Sequence, residues 1–206
     1  MSGRPGARPV GLAVAVLALL LFAGAATIYF AREAAQREGL KAGAFYPVHA
    51  APDFALRGSD GSQVTLARYR GKVVLLTFGF THCAAVCPTT LATLAQARSG
   101  LGQAADAVQV IYVTVDPQRD DPAHMQQYLA AFDPTFIGAT DGPDTLASVR
   151  DKYGVTAVRE GTGPDYAMAH TSSIFLIDPA GRLRAVMPFG HDAADFMHDI
   201  ERLLAR

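Results

Sequence analysis

Neither sign of charge predominates in this chain: 18 Lys and Arg stand against 19 Asp and Glu, for a formal net charge of −1. A domain that coats nucleic acid electrostatically needs a basic surplus, so that class is excluded. Cysteine is scarce, with two residues in 206. Two sulfurs exclude a disulfide-rich scaffold and a four-thiolate zinc site. There is no G-x-S-x-G, no Walker sequence and no H-E-x-x-H, which removes nucleophile-elbow hydrolases, P-loop enzymes and zincin-type proteases. Gly100-Leu101-Gly102 follows a helical stretch rather than a strand, so it is no dinucleotide fingerprint. No internal repeat and no low-complexity tract stands out beyond general Ala richness. The chain is nevertheless half hydrophobic, too apolar for disorder. Its length suits one medium domain plus appendages, with a core that needs no staple.

Charge is also missing locally. Val10–Phe30 (VGLAVAVLALLLFAGAATIYF) contains no ionisable residue except Tyr29. As a helix rising 1.5 Å per residue it would be about 31 Å long, matching the roughly 30 Å hydrocarbon core of a bilayer. A secretory signal has a shorter apolar run, about 7 to 15 residues. Ala23-Gly24-Ala25 resembles a cleavage site, but the run continues to Tyr29 and Phe30, which suit interfacial anchors. A retained single-pass anchor is therefore expected. Arg4 and Arg8 precede it with no acidic residue nearby, which keeps the N-terminus cytoplasmic and sends the remainder outward. The exported part is acidic in net and lies in the bacterial periplasm or an equivalent oxidising space. Residues 1–9 are then a short cytoplasmic tail, 10–30 the inner-membrane anchor, 31–50 a polar tether and 51–206 the folded domain.

Within that domain, Val73–Phe80 (VVLLTFGF), Val108–Val115 (VQVIYVTV) and Ser173–Asp178 (SIFLID) are short, largely apolar runs rich in β-formers. They predict strands buried on both faces. Helical spacing lies between them. Pro88 reads as a first helical position followed by Leu91, Leu94 and Leu101. Asp121-Pro122 reads as a cap and first position ahead of Met125, Tyr128, Leu129 and Phe132. Leu146, Val149 and Tyr153 mark a third helix, and Phe196, Met197, Ile200, Leu203 and Leu204 a fourth. Asp178-Pro179-Ala180-Gly181 predicts a turn, with Leu183–Met187 returning as an antiparallel strand. The expected class is α/β, a central mixed sheet with helices on both faces. Ligands in such sheets sit beyond the carboxyl ends of the strands, which directs attention to the loop after Phe80 and the segment before Ser173.

Both cysteines lie in that loop, in His82-Cys83-Ala84-Ala85-Val86-Cys87-Pro88. A disulfide across so short a loop would stabilise by only about 2 kcal/mol on chain-entropy grounds, and two buried thiols acting as small hydrophobes would not need a strand-to-helix loop. With Pro88 opening the helix, Cys87 falls at its cap and Cys83 just ahead, where helix N–H groups favour thiolate. Such a pair serves either as a dithiol/disulfide couple or as part of a soft-metal site. A metal needs a third donor, and six histidines are candidates. His124 and His198 read as solvated helix positions, His49 lies in the tether, and His191 follows the returning strand. His82 adjoins Cys83, but a strand-end geometry turns it away from the sulfurs. His170 immediately precedes Ser173–Asp178 and should reach the sheet edge beside the cysteines, so it is the chosen ligand. A Cys2His set suits Cu(I), whereas zinc would ask for a fourth ligand. Met168 reads as a gap filler in the core. Asp116, Arg119 and Asp120 read as a charged rim or as capping and ion-pairing residues.

Three segments carry a resemblance: GKVVLLTFGFTHC…VCPTTL (Gly71–Leu91), VTVDPQRDDP (Val113–Pro122) and AHTSSIFLIDPAG (Ala169–Gly181). From about Pro52 to the C-terminus the chain resembles the Sco/SenC family of membrane-anchored copper proteins. The resemblance implies a thioredoxin-like fold and one copper ion held by Cys83, Cys87 and His170. It also implies a chaperone role, delivering copper to the dinuclear centre on subunit II of cytochrome c oxidase or to another exported copper protein. One departure is plain: the family's usual Pro-Asp after the first cysteine is here Ala84-Ala85. Copper delivery is a binding function and not an enzymatic one. The alternative is a dedicated thiol–disulfide oxidoreductase using Cys83 and Cys87. Thioredoxin-like reductases usually carry Cys-x2-Cys and a Pro directly before the returning strand, where this chain has His170-Thr171-Ser172. A peroxidase of peroxiredoxin type finds no matching cysteine environment, and redox or copper sensing remains a fourth class.

Overall fold

The computed structural model describes residues 9–37 and 39–205, in two units divided after Gly39. In the first, helix α1 runs Pro9–Arg37, and its stretch Ala13–Phe30 is long and apolar enough to cross a membrane. Arg4 and Arg8, which set the expected orientation, lie outside the described residues.

The second unit is built on two runs with no solvent-facing side. Strands β4 (Val73–Gly79) and β5 (Val108–Thr114) are buried at every position and pair in parallel, Val73 opposite Val108 through Gly79 opposite Thr114. Runs without alternation demand cover on both faces, and helices flank the sheet. Strand β6 (Ile137–Thr140) extends the parallel set beyond β5. On the other side β9 (Ser173–Ile177) pairs antiparallel with β4, and β10 (Arg182–Pro188) antiparallel with β9. The turn between β9 and β10 closes through a Gly181 N–H bond to the Asp178 carbonyl at 2.7 Å, and Gly181 takes φ 75°, which a side chain would resist.

The sequence reading stopped the tether at residue 50, and here the structure differs. Gly43–Ala50 is a strand, β1, paired antiparallel with β10 at the sheet edge. The folded unit thus begins before Ala51, and buried Asp199 ties this edge down by accepting the Lys41 and Ala42 N–H groups at 2.7 and 2.8 Å. Two further strands, β2 (Ala55–Gly58) and β3 (Gln63–Thr65), complete the far edge, giving the order β1-β10-β9-β4-β5-β6-β2-β3. A separate hairpin joins β7 (Ala157–Glu160) to β8 (Ala167–His170).

The helices follow their caps. Helix α3 (Pro122–Ala130) starts with the Asp121 carboxylate accepting the His124 N–H at 2.8 Å and Pro122 in its first turn, as expected. Helix α4 (Pro143–Tyr153) ends at Gly154, φ 66°. Helix α5 (Ala193–Leu204) is capped by Asp192 and buries Phe196, Ile200 and Leu203. Helix α2 (Val86–Gly100) departs from expectation: it begins two residues before Pro88. Proline is tolerated anywhere in a first turn, because those N–H groups have no intrahelical partner to lose. Cys87 therefore lies inside the first turn and not at the cap, which is Ala85.

Candidate metal centre

Three elements meet at the end of β4. The strand delivers the chain into the Phe80–Ala85 loop, α2 starts from that loop, and the β7–β8 hairpin brings His170 in just ahead of β9. Both cysteines are free thiols, Cys83 part-exposed and Cys87 buried. They are joined through the backbone: the Cys87 N–H donates to Cys83 Sγ at 3.4 Å. The His170 Nε2 atom stands 3.6 Å from Cys87 Sγ. The structure thus sets Cys83 and His170 each beside Cys87.

The imidazole is oriented from behind. His170 Nδ1 donates to the Thr171 carbonyl at 3.0 Å, which leaves the Nε2 lone pair facing the sulfur. Burial holds the ring's pKa below its ordinary value, although the Thr171 bond opposes it. A neutral ring with a free Nε2 lone pair is the form that ligates a metal. Phe80 packs edge-on against the ring, centroids 5.9 Å apart. A crevice of about 10 Å³, lined in part by Cys87, His170, Thr90 and Tyr112, has room for about one water-sized body.

The two thiols are tuned apart. Burial would raise Cys83, but hydrogen bonds from the N–H groups of Cys87, Ala85 and Val86 and from the Cys87 side chain outweigh it, so its pKa is lowered. Burial pushes Cys87 up to about 12, with the neighbouring Cys83 adding to the rise. Cys83 is thus the nucleophilic, accessible sulfur and Cys87 the buried partner.

Further residues shape the site without having been foreseen. Tyr112 on β5 is 1% exposed, and its hydroxyl lies beside Cys87. Burial drives its pKa well up, keeping it neutral. Gly79 makes room for it, since a Cβ there would collide with the Tyr112 ring and hydroxyl. The single aromatic of β5, beside a Gly-ended strand, was the available signal. The hairpin is latched by Tyr166, whose hydroxyl donates to Asp116 Oδ1 at 2.6 Å. Its ring carries the guanidinium groups of Arg119 and Arg159, 3.6 and 3.7 Å from the centroid. Asp116 and Arg119 also form an ion pair, so the expected ion-pairing role holds for both. Met168 packs part-buried against the core.

His82 turns to Asp120 and His124: its Nδ1 lies 4.0 Å from Asp120 Oδ1 and its ring centroid 5.7 Å from that of His124. His124, read as solvated, is exposed, and its Nε2 lies 2.9 Å from Thr81 Oγ1. His198 contacts Asp199 at 3.0 Å, His191 contacts Asp195 at 2.8 Å, and His49 contacts the Pro47 carbonyl at 3.2 Å.

A mixed sheet flanked by helices, with a dithiol at a helix N-terminus and an imidazole ahead of the returning strand, defines a thioredoxin-like protein with a soft donor set. Comparison with known proteins sharpens that class. The SCO1/SenC family profile matches residues 45–205, and the chain belongs to this family. Protein SCO2 homolog, mitochondrial, of Mus musculus is 34% identical over 157 residues, covering 74% of this chain and 62% of its own length. The chain thus spans just under two thirds of that curated relative. Among solved structures, ScoI of Bradyrhizobium japonicum with copper bound is 36% identical at a TM-score of 0.70, covering 75% of this chain and 99% of that one. The apo Sco1 protein of Thermus thermophilus is 35% identical at a TM-score of 0.73, covering 80% and 97%.

Proposed function

We propose that this chain is a copper metallochaperone. Cys83, Cys87 and His170 hold one copper ion and release it to the dinuclear copper site on subunit II of cytochrome c oxidase, or to another exported copper protein. One observation carries the reading: the His170 Nε2 lone pair, its tautomer set by Thr171, faces Cys87 Sγ at 3.6 Å. Two thiolates and an imidazole are the donors that Cu(I) prefers. The copper-bound relative from Bradyrhizobium japonicum supports the cargo.

The chain's own groups divide the work. The helix N-terminus stabilises the Cys83 thiolate before metal arrives, so this accessible sulfur makes first contact. Cys87 gives up its proton on ligation, and His170, already neutral, closes the set. Release runs in reverse, a partner's thiol or imidazole displacing Cys83 first by ligand exchange. Helix α1 holds the domain at the inner membrane, on the periplasmic side, where client subunits emerge.

The test is metal analysis of the reduced protein beside Cys83→Ser, Cys87→Ser and His170→Ala. One Cu(I) per parent chain under anaerobic reduction, with a large loss in each variant, is the expected result. Stoichiometric Cu(I) that persists in all three variants removes the site. Rapid insulin reduction or peroxide turnover by metal-free protein would instead favour a thiol enzyme.

A further inference from the structure

Beside the cysteine loop lies a second group of donors that the copper reading leaves unused. One ligand atom from each of Asp120, His82 and His124 lies within 4.8 Å of the other two. They converge on the Thr81 hydroxyl, which is 2.6 Å from Asp120 Oδ1, 2.9 Å from His124 Nε2 and 3.1 Å from His82 Nδ1.

Without a metal the Thr81 hydroxyl can hold all three groups, donating to the carboxylate and accepting one N–H from each ring. A hydroxyl has one proton, and here it goes to the carboxylate, its nearest neighbour and an obligate acceptor. Asp120 is also held by the Thr81 N–H at 3.1 Å and the Thr114 hydroxyl at 2.7 Å, both on Oδ2. The two rings therefore satisfy nothing that Asp120 lacks. They face the same oxygen and, in the tautomers that point lone pairs inward, present two nitrogens and a carboxylate oxygen to a common point.

The fixed member is the carboxylate. Asp120 is fully buried and hydrogen-bonded from two elements, the outer-shell support that ligating carboxylates need. The movable member is His82, whose side chain is 46% exposed. Two donors each about 2.1 Å from one ion stand at most about 4.2 Å apart, so a set spread within 4.8 Å binds by drawing inward. A half-exposed ring can make that shift. Thr81 Oγ1, with lone pairs of its own, is available as a fourth donor.

We propose that His82, His124 and Asp120 form a second metal site, for a divalent borderline cation with Cu(II) preferred over Zn(II). Nitrogen and oxygen donors select against Cu(I), and the general affinity order places Cu(II) above Zn(II). This donor set is harder than the sulfur-rich one beside it and shares only the Thr81–Cys83 segment with it.

The experiment uses the full chain in detergent, with Cys83→Ser, Cys87→Ser and His170→Ala introduced together to silence the sulfur site. Cu(II) alone is the probe, read by equilibrium dialysis and electron paramagnetic resonance. The expected result is one Cu(II) per chain with nitrogen hyperfine structure. Adding His82→Asn or His124→Asn should weaken binding at least tenfold and alter the spectrum, with circular dichroism unchanged. Zn(II) in equal amount should displace the copper poorly. Absence of a bound equivalent in the silenced background overturns the proposal, as does a spectrum that both histidine substitutions leave intact. Failure of the sulfur-site reading is separable, since it would leave the parent chain with this single equivalent and no Cu(I).

Discussion

The separated thiols make a quantitative prediction about pH. Cys87 is pushed up to about 12, so at neutral pH its proton must be expelled before sulfur can ligate. Five units of pH correspond to about 7 kcal/mol, which the metal–sulfur bond has to overcome. Only the thiolate binds, so one proton leaves per metal ion and the affinity climbs about tenfold per pH unit on account of Cys87 alone. Cys83 sits below its ordinary 9.0, so below its own pKa a second proton is released and the slope steepens towards two. Above the Cys83 pKa that proton is already off and the slope settles near one. His170, with its pKa lowered by burial, adds nothing above neutrality. The assay is anaerobic competition with a Cu(I) chelator, corrected for the chelator's own protonation, at four pH values from about 6 to 9. Cys87→Ser should lower the slope by one across the whole range. An affinity that does not vary with pH, or a slope that Cys87→Ser leaves untouched, would refute the assignment of Cys87 as a ligand.

The same asymmetry orders the thiols' reactivity. Limited iodoacetamide at neutral pH should label Cys83 well before Cys87 in the metal-free protein, as mass spectrometry of peptides would show, and equal labelling would contradict the lowered Cys83 pKa. Asp199→Ala strands the buried Ala42 N–H and the neighbouring Lys41 N–H. It should cost about 2 to 4 kcal/mol in urea unfolding, and hydrogen exchange should rise first in β1. Tyr166→Phe removes the 2.6 Å bond to Asp116 but keeps the ring. It should weaken copper binding severalfold by loosening the hairpin that carries His170, while the unfolding midpoint stays within about 1 kcal/mol of the parent.

What the sequence disclosed follows from which signals are local. The runs of β4, β5 and β9 are continuous and apolar, and Asp121-Pro122 and Asp178–Gly181 are short-range chemistry, so each was readable and each stands. Strand β1 was not, because it is an edge strand with mostly exposed residues, and neither an alternating nor a continuous apolar signal survives there. The β7–β8 hairpin failed for the same reason, since its four-residue strands are largely exposed. Pro88 was read one way when its chemistry permits any first-turn position. The placing of Cys83 and His170 beside Cys87 was legible because each flanks a strong element. The bonds of Thr81 to Asp120 and His124 were not, since they depend on how α3 is set beside the cysteine loop.

Ala84-Ala85 is where the chain departs from its family's usual Pro-Asp, and the position of Ala85 gives that departure a consequence. Ala85 is the N-cap of α2 and supplies no side-chain acceptor. Cap residues normally satisfy one of the first N–H groups with an oxygen. Here Cys83 Sγ takes the Cys87 N–H instead, at 3.4 Å, so the positive end of the helix is spent on sulfur. Ala85→Asp would place a competing carboxylate at the cap. The helix should gain about 1 kcal/mol from the new cap. The Cys83 pKa should rise, because the thiolate then shares its donors and meets a like charge. Ultraviolet titration of the thiolate, alongside urea unfolding, reads both effects. A gain in stability with no upward movement of the Cys83 titration would mean that the helix N–H groups do not hold the thiolate, and the division of labour between the two sulfurs would need another cause.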